Sequence, residues 1–169
     1  MRPGSFVTME RLTPSGPRAT HRSKPWPRKS LMAVSYAIDT RKQLIFSRAT
    51  GVLTNAELAA HTQALLKDAR FDPRFHQIYD FLGVTDLRIS AALIRGQAST
   101  SPYSSGARRA YLVGSDAAFG LARMYQLSLG ADSEWLGVFR TMAEGLEWLT
   151  LAPDTAWPEP DWRYADTPY

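Results

Sequence analysis

Ser90 closes the stretch HQIYDFLGVTDLRIS and precedes AALIRGQAST, which places its hydroxyl at the start of a predicted helix. A serine there caps the first free amides, and the same amides and the helix dipole favour an anion such as phosphate. Capping is the reading favoured first. Asp80 and Asp86 form a candidate carboxylate pair. One ends a predicted buried strand, the other sits in a predicted loop, and no histidine stands at a spacing that would complete acid–base machinery. His21, His61 and His76 lack a third donor at ligand spacing, so a metal centre is not expected. The chain has no cysteine, which excludes disulfides, thiolate metal sites and a cysteine nucleophile. Its glycines form neither a phosphate loop nor a dinucleotide fingerprint, and no serine lies in a G-x-S-x-G elbow. No cofactor and no enzymatic activity are expected. Arg108 and Arg109, with Tyr103 and Arg123, could present an anion-binding face, although paired arginines entering a strand are more often solvated or paired with carboxylates.

These residues need elements to hold them. VSYAID alternates as a half-buried strand does, and QLIFSRATG after the Thr40-Arg41-Lys42 turn reads as its hairpin partner, ending at Gly51. Thr54 and Glu57 fit a capping box for a helix reaching about Arg70. Leu58, Thr62, Leu65, Leu66 and Ala69 make its expected buried stripe, with His61 on or beside that face as a packed residue. Pro73 stops this helix. A buried strand over 77–82 follows, then the loop GVTDLRI over 83–89, then the helix capped by Ser90 and ending before Pro102. RRAYLVG is a further buried strand. Ser115 and Asp116 begin a helix whose inward stripe is Ala118, Leu121, Ala122, Tyr125 and Leu129, with Arg123 toward a flank. EWLGVFR is the last strand, and MAEGLEWL a short helix packed through Leu146, Trp148 and Leu149.

A chain of 169 residues that is 44% apolar suits one domain with tails. Residues 1–31 hold seven basic side chains against Glu10 alone, a net +6. The whole chain carries +4, so the remainder carries −2. The basic character thus belongs to a Pro-rich leader, over 1–31, that is expected to be disordered. Nucleic-acid binding is not expected of the body; the leader could make a weak phosphate contact. Translation from Met32 is an alternative origin for the ordered pattern. The domain is expected over 32–151, followed over 152–169 by a Pro-rich extension whose Trp157, Trp162, Tyr164 and Tyr169 suit an extended strap laid on the body. No segment has the apolar length of a secretory signal or of a membrane span, and a cytoplasmic location is expected.

The order β-β-α-β-α-β-α-β-α predicts an α/β fold with a mostly parallel or mixed sheet of about five strands, an N-terminal hairpin and four helices. The hairpin YAIDTRKQLIFSRATGVLT, the FDPRF turn, YDFLGVTDLRIS, RRAYLV, GLARMY and VFRTMAEGLEWL together resemble the SpoIIAA-like branch of the STAS superfamily, across nearly the whole body. The resemblance implies a regulatory protein-binding module, or, in a similar fold, a holder of lipid-like ligands. In the antagonist proteins of that family a serine at the helix N-terminus is phosphorylated. By position that serine falls on Ser90, although Ile89 stands where an acidic residue is usual.

The expected function is non-catalytic regulation through a protein partner, with Thr85, Asp86, Leu87, Ser90, Tyr103, Arg109 and Arg123 as the candidate partner or ligand surface. A homodimer is a further expectation, from the edges of a small open sheet. The alternative is a small apolar-ligand or lipid binder with a pocket between helices and sheet, to which His61, Tyr79, Tyr103 and Tyr125 would contribute.

Overall fold

The computed structural model describes residues 34–130 and 134–155 and the backbone of 163–164, all within the unit Leu31–Tyr169. The basic leader, His21, the start at Met32, and Trp157, Trp162 and Tyr169 of the strap lie outside the described residues. In chain order the elements are β1 (Val34–Asp39), β2 (Leu44–Thr54), α1 (Asn55–Lys67), β3 (His76–Arg88), α2 (Ala91–Ser99), β4 (Arg108–Val113), α3 (Asp116–Ser128), β5 (Trp135–Phe139), α4 (Met142–Trp148) and β6 (Arg163–Tyr164). The five strands and four helices read from the sequence are all present. The short β6, which the sequence reading does not contain, pairs antiparallel with Ser35 and Tyr36.

The strands run β5-β4-β3-β2-β1-β6 across one mixed sheet. β1 and β2 form the antiparallel hairpin, while β2, β3, β4 and β5 are parallel to one another. Alternation along each strand divides the core between two faces. On one, Leu58 of α1, Ile94 and Ala98 of α2, and Ala118, Ala122 and Tyr125 of α3 cover Tyr79, Tyr111 and Val113. On the other, Leu146 and Leu149, from α4 and its C-cap, cover Phe46, Ile78, Ala110 and Leu112.

Two boundaries differ from the sequence reading for related reasons. Gly51 does not end β2. It takes a left-handed φ of 69°, cheap only for glycine, and the strand shifts register and continues to Thr54. That continuation gives the residues read as a loop a partner, so β3 runs on through Arg88, with Thr50 beside Gly83 and Thr54 beside Arg88. Gly83 belongs to this close pairing, since a Cβ there would come within 2.9 Å of Thr50 Cγ2.

The helix starts follow their caps. Thr54 and Glu57 close the expected box on α1, with the Thr54 amide donating to Glu57 at 2.8 Å. Thr141 and Glu144 form a second box on α4. The buried stripe of α1 is Leu58, His61 and Leu65, narrower than expected, because Leu66 is exposed and the helix ends at Lys67, short of Ala69 and of the expected end near Arg70. The stripe read for α3 packs inward as expected, and Arg123 is exposed. Among the described residues, no helix is long and apolar enough to cross a membrane.

Candidate functional site

Strand register places five side chains side by side beneath α1–α3. Ser47 lies beside Tyr79, Gln77 beside Arg109, and Tyr79 beside Tyr111. In neighbouring parallel strands such pairs point to the same face, so this face holds a polar and aromatic row where an aliphatic one would be cheaper. The row is almost continuously bonded. His61 Nε2 lies 3.0 Å from Ser47 Oγ. Gln77 Nε2 donates to the same oxygen at 2.8 Å, and Arg109 Nε donates to Gln77 Oε1 at 2.9 Å. Arg109 Nη1 donates to Tyr125 Oη at 2.9 Å and to Glu134 at 2.7 Å, and Nη2 donates to Tyr111 Oη. Ser101 Oγ donates to Glu134 Oε1 at 2.7 Å.

The Arg109–Glu134 pair is buried, with side-chain exposures of 6% and 0%. Removing two charges from water is costly, and only close geometry with further hydrogen bonds offsets it. Here Gln77, Tyr111 and Tyr125 serve the cation and Ser101 serves the anion. Tyr103 also lies under the guanidinium, its ring centre 4.2 Å from Cζ, which adds a desolvated cation–π contact.

Between this row and the helices lies a cavity of about 90 Å³. Its wall takes Leu58 from α1, Ile94 from α2, Ala118 and Ala122 from α3, and Leu87 and Ile89 from the end of β3 and the residue after it. His61, Tyr79, Tyr103 and Tyr125 line it too. Three residues of the wall hold a buried polar atom with no hydrogen-bond partner, His61 at Nδ1 and Tyr79 and Tyr103 at Oη, and Glu134 Oε2 behind Arg109 has none either. Leaving such an atom dry and unpaired costs about 1–3 kcal/mol, so these groups are out of the ordinary in a wall that is otherwise satisfied.

Burial and then the positive charge of Arg109 lower the His61 pKa to about 3, so the imidazole is neutral. Burial pushes the phenols of Tyr79 and Tyr103 upward, which keeps both protonated and able to donate. Among the described residues the wall therefore holds one formal charge, Arg109, with its counter-ion directly behind it.

Of the residues singled out as a partner or ligand surface, Leu87, Tyr103 and Arg109 meet in the cavity wall, and the other four do not join them. Thr85, Asp86 and Ser90 are exposed at the end of β3 and the start of α2, whereas Leu87 is half-buried in the cavity wall. Ser90 Oγ caps α2 by accepting from the Leu93 amide at 3.2 Å, and accepts also from Asn55 Nδ2 at 3.2 Å. Tyr103 and Arg109 are buried, so Arg109 presents no anion-binding face to solvent. Arg108 instead stacks near Trp135 and Trp148 and donates to the Trp148 carbonyl. Arg123 lies outside on α3, bonded to Gln126. The carboxylate pair dissolves likewise: Asp80 bonds Arg48 at 3.1 Å, and Asp86 bonds Arg88 at 2.8 Å. Among the described residues no group of three His, Asp or Glu side chains is placed to hold a metal.

Ser47, Gln77, Ser101, Tyr111 and Glu134 are the site residues that the sequence reading passes over. The available signal was polar residues in buried strands: Ser47 within LIFSRA, Gln77 within QIYD and Arg109 within RRAYLV. Compared with protein-family models and with curated proteins, the chain gives no match.

Proposed function

We propose that this chain is a non-catalytic binder of a small, largely apolar molecule held between the sheet and α1–α3. One observation carries this reading: Tyr79, Tyr103 and His61, which line the cavity, each hold a buried polar atom without a partner. Apolar walls with a few converging polar groups are the usual form of a small-molecule site. Catalysis has less support. Ser47, whose hydroxyl is bonded to His61, has no exposure and its oxygen already accepts from Gln77.

Native mass spectrometry of freshly purified full chain tests the reading, with Ala118→Leu as the variant that fills the cavity. A bound small molecule that leaves on denaturation and is absent from the variant is the expected result. A ligand-free mass, together with no small apolar probe raising the melting temperature of the wild-type chain, would remove the reading.

A second reading rests on the exposed end of β3. Thr85, Asp86 and Ser90 face solvent while Leu87 and Ile89 line the cavity, so one short segment touches both the ligand space and the surface. This favours a STAS-type regulatory module that meets a protein partner there. The hairpin, the parallel β2–β5 set and the four helices are the architecture that resemblance implies. Phosphate on Ser90 in protein from native cells, altering a partner's affinity, would support it; an unmodified Ser90 under every growth condition would sink its phospho-regulated form.

A further inference from the structure

The charge and donor inventory of the cavity goes further than its shape. We infer that the ligand is an uncharged molecule bearing a hydrogen-bond acceptor, such as a ketone, ester or ether, and not a carboxylate. The inference rests on the ligand-binding reading above and narrows it to a chemical class.

Charge comes first. Among the described residues, Arg109 is the only formally charged one in the wall, which would ordinarily suggest an anionic ligand. That position is taken. Glu134 Oε1 sits 2.7 Å from Nη1, itself without exposure, and Tyr111, Tyr125 and Gln77 occupy three more of the guanidinium's N–H groups. A ligand carboxylate would put a second negative charge beside one cation, leaving a buried net charge of −1. Uncompensated buried charge is among the most expensive things a protein interior can hold. His61, the other basic group, is neutral and offers no relief.

Donors come second. Tyr79 and Tyr103 are buried at 2% and 7% exposure, their hydroxyls unbonded. They stay protonated, since burial opposes the phenolate. Two residues of the wall therefore hold O–H donors without acceptors, while Glu134, whose buried Oε2 also has no partner, is not part of the wall; His61 Nδ1, the third such atom of a lining residue, holds a proton or a lone pair according to the tautomer. An oxygen acceptor on the ligand answers those donors. A hydrocarbon fills the same space and leaves them unpaired.

Three molecules of nearly one shape separate these alternatives: acetophenone, ethylbenzene and benzoate. Each is titrated into the full chain at neutral pH, with calorimetry for affinity and the ring resonances of Tyr79 and Tyr103 for location. Acetophenone is expected to bind about tenfold more tightly than ethylbenzene, the worth of one well-made hydrogen bond. Benzoate is expected to bind more weakly than acetophenone by about tenfold or more. Tyr79→Phe and Tyr103→Phe, separately and together, should level acetophenone with ethylbenzene while leaving the circular dichroism unchanged. The single variants serve if the double fails to fold. Benzoate binding as tightly as acetophenone would overturn the uncharged class and leave the ligand-binding reading standing. Equal affinities for acetophenone and ethylbenzene in the wild-type chain would overturn the acceptor claim alone. If none of the three moves either resonance, the ligand-binding reading falls, and this inference with it.

Discussion

The two faces of the sheet are made from the same strands and differ in almost everything else. β4 shows both within six residues: Arg109, Tyr111 and Val113 turn toward α1–α3, and Ala110 and Leu112 turn toward α4. The α4 face is apolar, with Leu44, Phe46, Ile78, Leu112, Leu146 and Leu149 packed together. The opposite face buries an ion pair, a neutral histidine and four tyrosines around a cavity. Of the unpartnered buried polar side-chain atoms among the described residues, Trp148 Nε1 is the one on the α4 side, against four on the other. A core built only for stability would resemble the α4 face throughout, since aliphatic packing carries no desolvation cost. The polar face spends stability, and spending of that kind marks functional sites in otherwise consistent sequences.

Breaking the ion pair should give the largest effect. Glu134→Gln leaves the Arg109 guanidinium buried without its counter-charge, and the fold should lose about 3–5 kcal/mol in urea unfolding. Arg109→Met combined with Glu134→Leu removes both charges and should recover part of that loss, although Ser101 and Gln77 then lose partners. A double variant no more stable than Glu134→Gln would mean that the hydrogen bonds around the pair, and not the charges, hold this face.

The next effect is read against pH. The His61 pKa falls from 6.5 to about 3 on folding, so the unfolded chain binds the proton more readily. Stability from this residue is fully present above about pH 6.5 and is lost as pH falls toward 3, at up to about 1.4 kcal/mol per unit. Burial lowers the His76 pKa as well, which acts in the same direction. Asp72 and Glu144, whose pKa values are also depressed, act only at lower pH, near and below the ordinary carboxylate range. His61→Gln should therefore flatten the stability curve between about pH 5 and 6.5 without abolishing its slope. Identical slopes in the two proteins would show that His61 is not sealed from solvent.

How legible this contrast was in the sequence depends on the kind of signal. The hairpin, the capping box at Thr54 and Glu57, and the stripe Ala118, Ala122, Tyr125 are local periodicities, and they survive folding unchanged. The end of β3 is not legible because Gly83, Thr85 and Asp86 are turn-like by type, while what makes this stretch a strand is pairing with Thr50–Thr54 of β2 across two register shifts. That is a tertiary cause, acting on residues more than thirty positions apart. The cavity is intermediate. The sequence offers His61, Tyr79, Tyr103 and Tyr125 as pocket residues, but the hydrogen-bonded network beneath them runs through Ser47, Gln77 and Arg109 and ends at Glu134, which the chain delivers just ahead of β5. Nothing local ties Glu134 to Arg109. The signal left in the sequence was an arginine inside a buried strand, which must find a carboxylate somewhere.

The smallest expected effect separates the two kinds of tyrosine on the polar face. Tyr125 Oη accepts from Arg109 and donates to Glu134, whereas the hydroxyls of Tyr79 and Tyr103 bond to nothing. Phenylalanine at position 125 strands an arginine N–H and should cost about 1–3 kcal/mol. The same change at 79 or 103 removes an unsatisfied hydroxyl, and should raise stability by about 1 kcal/mol in the ligand-free chain. Opposite signs from one substitution chemistry, within one aromatic cluster, are not a consequence of packing volume, which changes equally in all three. Saturating acetophenone supplies the missing acceptor and should erase or reverse the gain at 79 and 103, since a ligand that binds only the folded state stabilises the wild-type chain more than a variant that holds it weakly. Stability lost at all three positions would show instead that the two lone hydroxyls are satisfied in solution, and that the polar face is as fully bonded as the α4 face is packed.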